Sequence, residues 1–351
     1  MFLQQYQRNG VRVALNFALL GVFLAHSSGL FTLPLIGFLE NYAYGKRMVF
    51  SMEPGQDPRI VIVDIDEKSL AADGRWPWSR DKMARMLDNL FDQYHVALVG
   101  FDVLFAEPDT SSGYETLAAL GQNELRDDAL FQQQLTGVKA RLDYDGRFAR
   151  SMEGRAVVLG YYFSTAASGS TAARSGALPA PLFAAGELPG PADLRNADGY
   201  GANLPQLQGS AAGGGHFNPW VDPDGIVRRV PLLLEFEGAW YESLALAIGR
   251  RVLGVDSIEP VFATDLAANY STLEELRLGR MRIPVDGMAQ ALVTYRGERG
   301  GFPYVSATDV LHGQADAGIL EDAIVLVGTS APGLYDLRAT PVQNKYPGVE
   351  I

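Results

Sequence analysis

Between Arg12 and Glu40 the chain carries no charged side chain. This run, residues 13–39, is 27 residues long, enough as a helix to cross about 30 Å of hydrocarbon with some tilt. His26, Ser27, Ser28 and Pro34 interrupt its apolar character. Arg8 and Arg12 precede it and no acid does, so the positive-inside tendency places residues 1–12 in the cytoplasm and everything after Glu40 outside. Ala25 and Ser27 could form a signal-peptidase site, but the apolar stretch continues through Leu30, Phe31, Leu33, Leu35 and Ile36, which favours a retained anchor. The expected layout is a cytoplasmic segment (1–12), one transmembrane helix (13–39) and an extracytoplasmic domain (40–351).

With 351 residues, 47% of them hydrophobic, the chain can bury a sizeable core. A formal charge of −12 repels phosphates and argues against nucleic-acid binding. The absence of cysteine excludes disulfides, thiolate metal sites and cysteine nucleophiles. The four histidines, His26, His95, His216 and His312, are scattered and offer no zinc-ligand spacing.

Short apolar runs bounded by turn signals predict buried strands at Ile60–Ile65, Ala97–Phe105, Ala323–Gly328 and Ala156–Phe163, with further strands at Ile226–Phe236 and Ala291–Tyr295. Between the first two, Ser79 is placed to cap a helix whose Met83, Met86, Leu87, Leu90, Phe91 and Tyr94 share one face. Strand, helix, strand in this order predicts a βαβ unit. Trp240–Leu253 has the spacing of a second amphipathic helix. The fold class is therefore α/β: a mixed sheet with a βαβ start and an antiparallel central portion, preceded by one transmembrane helix. Asp109–Arg147 is polar and predicts an exposed helical excursion. Residues 164–215, rich in Ala, Gly, Ser and Pro, predict a long, partly disordered surface loop.

The candidate site is a set of carboxylates at strand ends, where α/β sheets usually bind ligands. Asp64 and Asp66 lie two apart at the end of the first strand, followed by Glu67; Asp102 and Glu107 close the second. Acids gathered there repel unless a cation or an arginine joins them. A hard divalent cation, Mg²⁺ or Ca²⁺ on Asp64, Asp66 and Asp102, is one solution. A structural role, as helix caps or as partners of Arg80, is the other, and the favoured one. Val221–Gly225 departs from a calcium loop because Ile226 occupies a ligand position, so it predicts a tight turn. Gly328-Thr329-Ser330 could offer backbone N–H groups to an anion but lacks a Walker lysine. Gly213-Gly214-Gly215 lacks dinucleotide-binding spacing, and no nucleophile elbow is present. Trp76 and Trp78 flank Pro77 in a cluster better suited to packing than to a pocket.

Taken together, these blocks resemble the CHASE2 extracellular sensory domain: Val61–Glu67 with Ser69-Leu70, Gly74–Arg80, Val99–Phe105 with Glu107, Asp222–Pro231, Thr294–Gly297, Asp309–Leu311, Ile324–Ala331, Leu334–Asp336, and Thr340-Pro341 running to Pro347–Ile351. They occur in the family's order over about residues 40–351. The resemblance marks Trp76, Trp78, Asp224, Arg228, Thr329 and Asp336 as further motif positions. It implies the sensor of a receptor in the bacterial inner membrane, its domain in the periplasm or outside the cell, answering an unknown extracellular signal. A homodimer and a cytoplasmic output module, a nucleotide cyclase or protein kinase absent from this chain, are expected, and no catalysis by this polypeptide. Two rivals stay open: a metal-dependent phosphotransfer enzyme using the strand-end carboxylates, and a non-signalling envelope protein.

Overall fold

Proline has no N–H to give to a helix and prefers the first helical position. The apolar N-terminal run divides at that point, into helices Phe2–Ser27 and Pro34–Ser51. The single helix expected over 13–39 is thus two, with Ser28 in a turn between them. The computed structural model describes residues 2–28, 30, 33–52, 55–165, 172–187, 189–265, 270–331 and 337–351. The chain forms two units, Met1–Ser51 and Met52–Ile351. Among the described residues no helix is long and apolar enough to cross a membrane.

The larger unit is mixed α/β. Six parallel strands lie in the order Tyr304–Ser306, Ile60–Asp64, Ile324–Gly328, Leu98–Phe101, Val157–Ser164 and Gly213–His216. The expected βαβ unit is present, but its two strands are not neighbours: Ile324–Gly328 lies between them, pairing Val61 with Val325 and Phe101 with Val327. Alternate residues of these strands fill one face. Val61, Val63, Val99, Phe101, Val325 and Val327 are all fully buried there, under Met83, Met86, Leu87 and Leu90. Each such side chain contributes about 1.5–3 kcal/mol by leaving water.

The helix after Ser79 runs over Arg80–Asp88 and then widens into a π-turn, Asn89–Gln93. Ser79 stands at its N-cap, but its hydroxyl donates to Asp81 instead of accepting a backbone N–H. The opposite face of the sheet is covered by helix Leu244–Val252, whose Ile248 packs with Leu98 and Val158. This helix is shorter than the sequence predicts. Glu237 (φ 53°) and Gly238 (φ 77°) make a tight hairpin turn that draws Ala239–Glu242 into a strand against Leu233–Phe236, so strand pairing takes Trp240 and the helix starts after Ser243. An antiparallel meander, Glu259–Asp265, Tyr270–Leu278 and Met281–Pro284, completes the central portion.

Residues 164–215 are not one loop. Strands Arg174–Ser175, Asn196–Ala197 and Gly199–Gly201, helix Pro205–Ser210 and strand Gly213–His216 fall there, while 166–171 and 188 lie outside the described residues. Fully buried Asn203 anchors the region, accepting from Phe105 N at 2.9 Å and donating to Gly160 O at 3.0 Å. The triple glycine is a sheet strand: a Cβ on Gly215 would come within 2.5 Å of the Leu244 backbone, so the helix can sit directly on the strand. The polar stretch 109–147 carries helices Tyr114–Gln122 and Ala129–Leu142, and no residue of the latter is buried.

His216 is fully buried, neither ring nitrogen has a hydrogen-bond partner, and burial holds its pKa down to about 3. The folded chain keeps it neutral, whereas the unfolded chain protonates it below about pH 6.5. Its contribution to stability is therefore present above about pH 6.5 and lost as pH falls toward about 3, at up to about 1.4 kcal/mol per pH unit. We predict that His216→Phe flattens the decline in urea stability between pH 7 and 5. An unchanged slope would mean that this histidine is not the titrating group.

Candidate functional site at the strand ends

Three neighbouring parallel strands end together, at Asp64, Ser306 and Gly328. Asp64 ends in a buried position between the other two. Its Oδ1 accepts from Ser330 N at 2.8 Å and its Oδ2 from the Ser330 hydroxyl. Arg299 stands 4.0 Å from Oδ2 and itself donates to Ser330 Oγ at 2.9 Å. Burial pushes the Asp64 carboxyl upward, and the Ser330 hydrogen bonds partly offset this.

Asp66, two residues on, faces other work. It caps helix Glu67–Asp73, accepting from Ser69 N at 2.8 Å, and also accepts from Ser306 Oγ at 2.8 Å. Ser69 Oγ lies 2.9 Å from Ser306 Oγ and accepts from Thr308 N, so a chain of hydroxyls ties this cap to the start of the Ala307–Leu311 helix. Asp73 continues the tie, accepting from Thr308 Oγ1 at 2.5 Å and lying 3.1 Å from His312 Nε2. Glu67 is exposed in the first turn. Asp102 is half-buried beyond the second strand, its N–H donating to Val327 O.

Arg80 does not join these acids. Its backbone N–H donates to Asp109 at 2.6 Å, its guanidinium donates to the Glu107 carbonyl at 3.3 Å, and Nε lies 3.6 Å from Asp145. The guanidinium also rests 4.6 Å above the Phe105 ring. Burial raises the Asp145 carboxyl, with Asp109 N–H and Arg80 acting against the rise. The sequence predicts that Arg80 pairs with the strand-end acids; the acid beside it is instead Asp145, which lies in the polar stretch 109–147. The Glu107 side chain is exposed. Among the described residues no group of three or more His, Asp or Glu side chains is placed to hold a metal ion, so Asp64, Asp66 and Asp102 are not gathered as a ligand set.

Trp78 is buried, donates to Gly74 O at 2.9 Å and meets Trp76 edge-on at 6.0 Å; the pair packs on the main core. Asp222–Gly225 is a turn, with Gly225 at φ 82°. Its acids hold buried Arg228: Asp224 takes both terminal nitrogens, at 2.9 and 2.8 Å, and Asp222 takes one at 2.8 Å. That grip, chiefly the hydrogen bonds from Arg228, lowers the Asp224 pKa. The Thr329 hydroxyl is buried without a hydrogen-bond partner. Leu334 and Asp336 lie outside the described residues.

Several residues that build the strand ends carry no signal in sequence. Arg299 lies in a glycine-rich stretch without periodicity, and Asp145 in the polar excursion. Glu350 belongs to a noted motif, yet its role emerges only in three dimensions. Buried, it accepts from Gly300 N at 3.1 Å, Gly301 N at 3.2 Å, Tyr304 Oη at 2.5 Å and Tyr346 Oη at 3.3 Å. Burial and this carboxylate raise both phenols. Beside it, Val349 packs on Gly328, where a Cβ would come within 2.7 Å of it.

The family model described as CHASE2 domain matches residues 17–351. No curated protein and no solved structure matches the chain.

Glu350→Ala leaves two buried and two half-buried donors without their acceptor, and should cost about 3–5 kcal/mol. Asp64→Asn keeps an acceptor for Ser330 N and removes a charge that burial already disfavours, so about 1 kcal/mol or less is expected. Chemical denaturation of the two variants checks the order; a costlier Asp64→Asn would show that the strand-end charge has work beyond these ties.

Proposed function

The chain belongs to the CHASE2 domain family, a family of sensory domains, and on that footing we propose that it is the signal-sensing part of a bacterial membrane receptor. The observation that carries this reading is the match over residues 17–351, which takes in the apolar N-terminal stretch together with the sheet. In the N-terminal unit Val13, Leu15, Phe17, Leu19, Phe23 and Leu24 are each at least 50% exposed. Apolar surface of that density is normally covered, and a bilayer covers it directly. We therefore infer a membrane-embedded N-terminal segment and an exported sensor domain.

The cytoplasmic output, a cyclase or kinase module, belongs to the remainder of the receptor in this reading, and two copies act as a pair. The strand-end acids then serve as ties. A stimulus that favours one packing of the Asp64–Ser330 and Glu350 contacts over another shifts a two-state equilibrium, and can do so only by its difference in affinity for the two states. Catalysis by this chain has no part in the scheme.

Topology supplies the test. A reporter enzyme active only outside the cytoplasm, fused after Ile351 in the full chain, is expected to be active in a bacterial host, and deletion of residues 13–39 to abolish that activity. An inactive fusion, with a fluorescent protein at the same site folding in the cytoplasm, would overturn the exported-sensor reading.

A further inference from the structure

A cavity of about 230 Å³ opens where the far end of strand Val157–Ser164 meets the antiparallel portion. Phe163, Pro219 and Leu234 give it apolar walls; Ser164, Asn196 and Arg195 supply polar groups. Its volume falls below the roughly 300–1,000 Å³ of drug-sized sites, so it suits a small molecule.

The wall is fixed. Asn218 binds the Phe163 backbone twice, accepting from its N–H at 2.8 Å and donating to its carbonyl at 2.7 Å. The Phe163 ring is wedged against Tyr161, Phe236 and Tyr241 at centroid distances of 5.4, 5.6 and 5.3 Å. A preformed wall of this kind spares a ligand the cost of ordering it.

Arg195 lines the cavity and differs from Arg174, Arg228 and Arg229. Arg174 pairs with Glu237, Arg228 with Asp222 and Asp224, and Arg229 with Asp222. Arg195 is exposed and has no ion-pair partner among the described residues; its guanidinium lies 5.4 Å over the Trp220 ring. Among the described residues no acid lines the cavity. In a chain of formal charge −12, a held, unneutralised guanidinium lining a cavity of mixed polar and apolar walls is set up for an anion from outside. We propose that this cavity is a ligand site for a small carboxylate with a compact apolar body, the carboxylate on Arg195 and the body against Phe163, Pro219 and Leu234. This rests on the sensory reading only for its consequence, that such a ligand is the stimulus.

The test is calorimetric titration of the full chain in detergent with benzoate, with benzamide as the uncharged counterpart and acetate as the charge without the body. Benzoate is expected to bind, and Arg195→Gln to weaken it by at least about tenfold, the worth of one charge-assisted hydrogen bond. Benzamide and acetate are expected to bind at least about tenfold more weakly than benzoate. Arg195 is exposed and its replacement leaves the core untouched, so the variant's unchanged melting midpoint serves as the folding control. Equal binding of benzamide, an unaffected Arg195→Gln variant, or no benzoate binding would each overturn the carboxylate site. None of these would touch the exported-sensor reading, which stands or falls on the reporter fusion.

Discussion

The sheet depends on a strand that arrives last. Ile60–Asp64 and Leu98–Phe101 do not touch; both pair with Ile324–Gly328, which follows them only after the whole antiparallel portion. Contacts of such sequence separation charge loop-closure entropy before they return any burial. Once the strand is in place it does three things together. It completes the valine-rich face, it brings Ser330 to Asp64, and it offers Gly328 as the flat seat for Val349. The Asp64–Ser330 tie is thus a consequence of strand order, and it cannot form before this strand is in place.

Several buried charges of the larger unit are paired or saturated with donors. Arg228 is held between Asp222 and Asp224, Arg250 lies 2.6 Å from Glu242, and Glu350 has two N–H groups and two phenols. Against well-packed apolar residues such pairs return little net stability, because desolvation takes back most of the Coulomb gain. Their cost when broken is large and their geometry is specific. They therefore fix which segments meet: Arg80 joins its helix to Asp145 in helix Tyr144–Met152, and Glu350 joins the last turn of the chain to the glycine-rich loop before Tyr304.

Runs such as IVIVD and IVLVG are legible as parallel strands because both faces are covered and nearly every residue is apolar. The Met83–Leu90 face is legible by its period. Residues 164–215 were opaque because strands of two or three residues have no period to detect, and Gly213–Gly215 looks like low complexity when its purpose is close approach to a helix. The spacing around Trp240 fits a helix, but hairpin pairing outranks it. At the site, the acids were legible as a group by position. Their partners were not: Asp64 and Asp66 are two residues apart yet hold Ser330 and Ser306, which come from two other strands. A sequence shows which charges need company, while the company is set by topology.

Strand Val157–Ser164 belongs to both the parallel sheet and the cavity wall. Its first half pairs with Leu98–Phe101 in the parallel sheet; its second half pairs with Gly199–Gly201 and carries Phe163 to the cavity wall. Asn203 bridges the same strand, at Gly160 O, to Phe105 N just past the end of Leu98–Phe101. A ligand that moved Phe163 would have to move this strand or strain the buried Asn203 amide, and close-packed cores respond to such demands by switching arrangement, not by deforming smoothly. The cavity wall and the parallel sheet are therefore mechanically one piece. A sensor needs that property, since binding energy at an edge is useful only if the element it touches also belongs to the part that must respond.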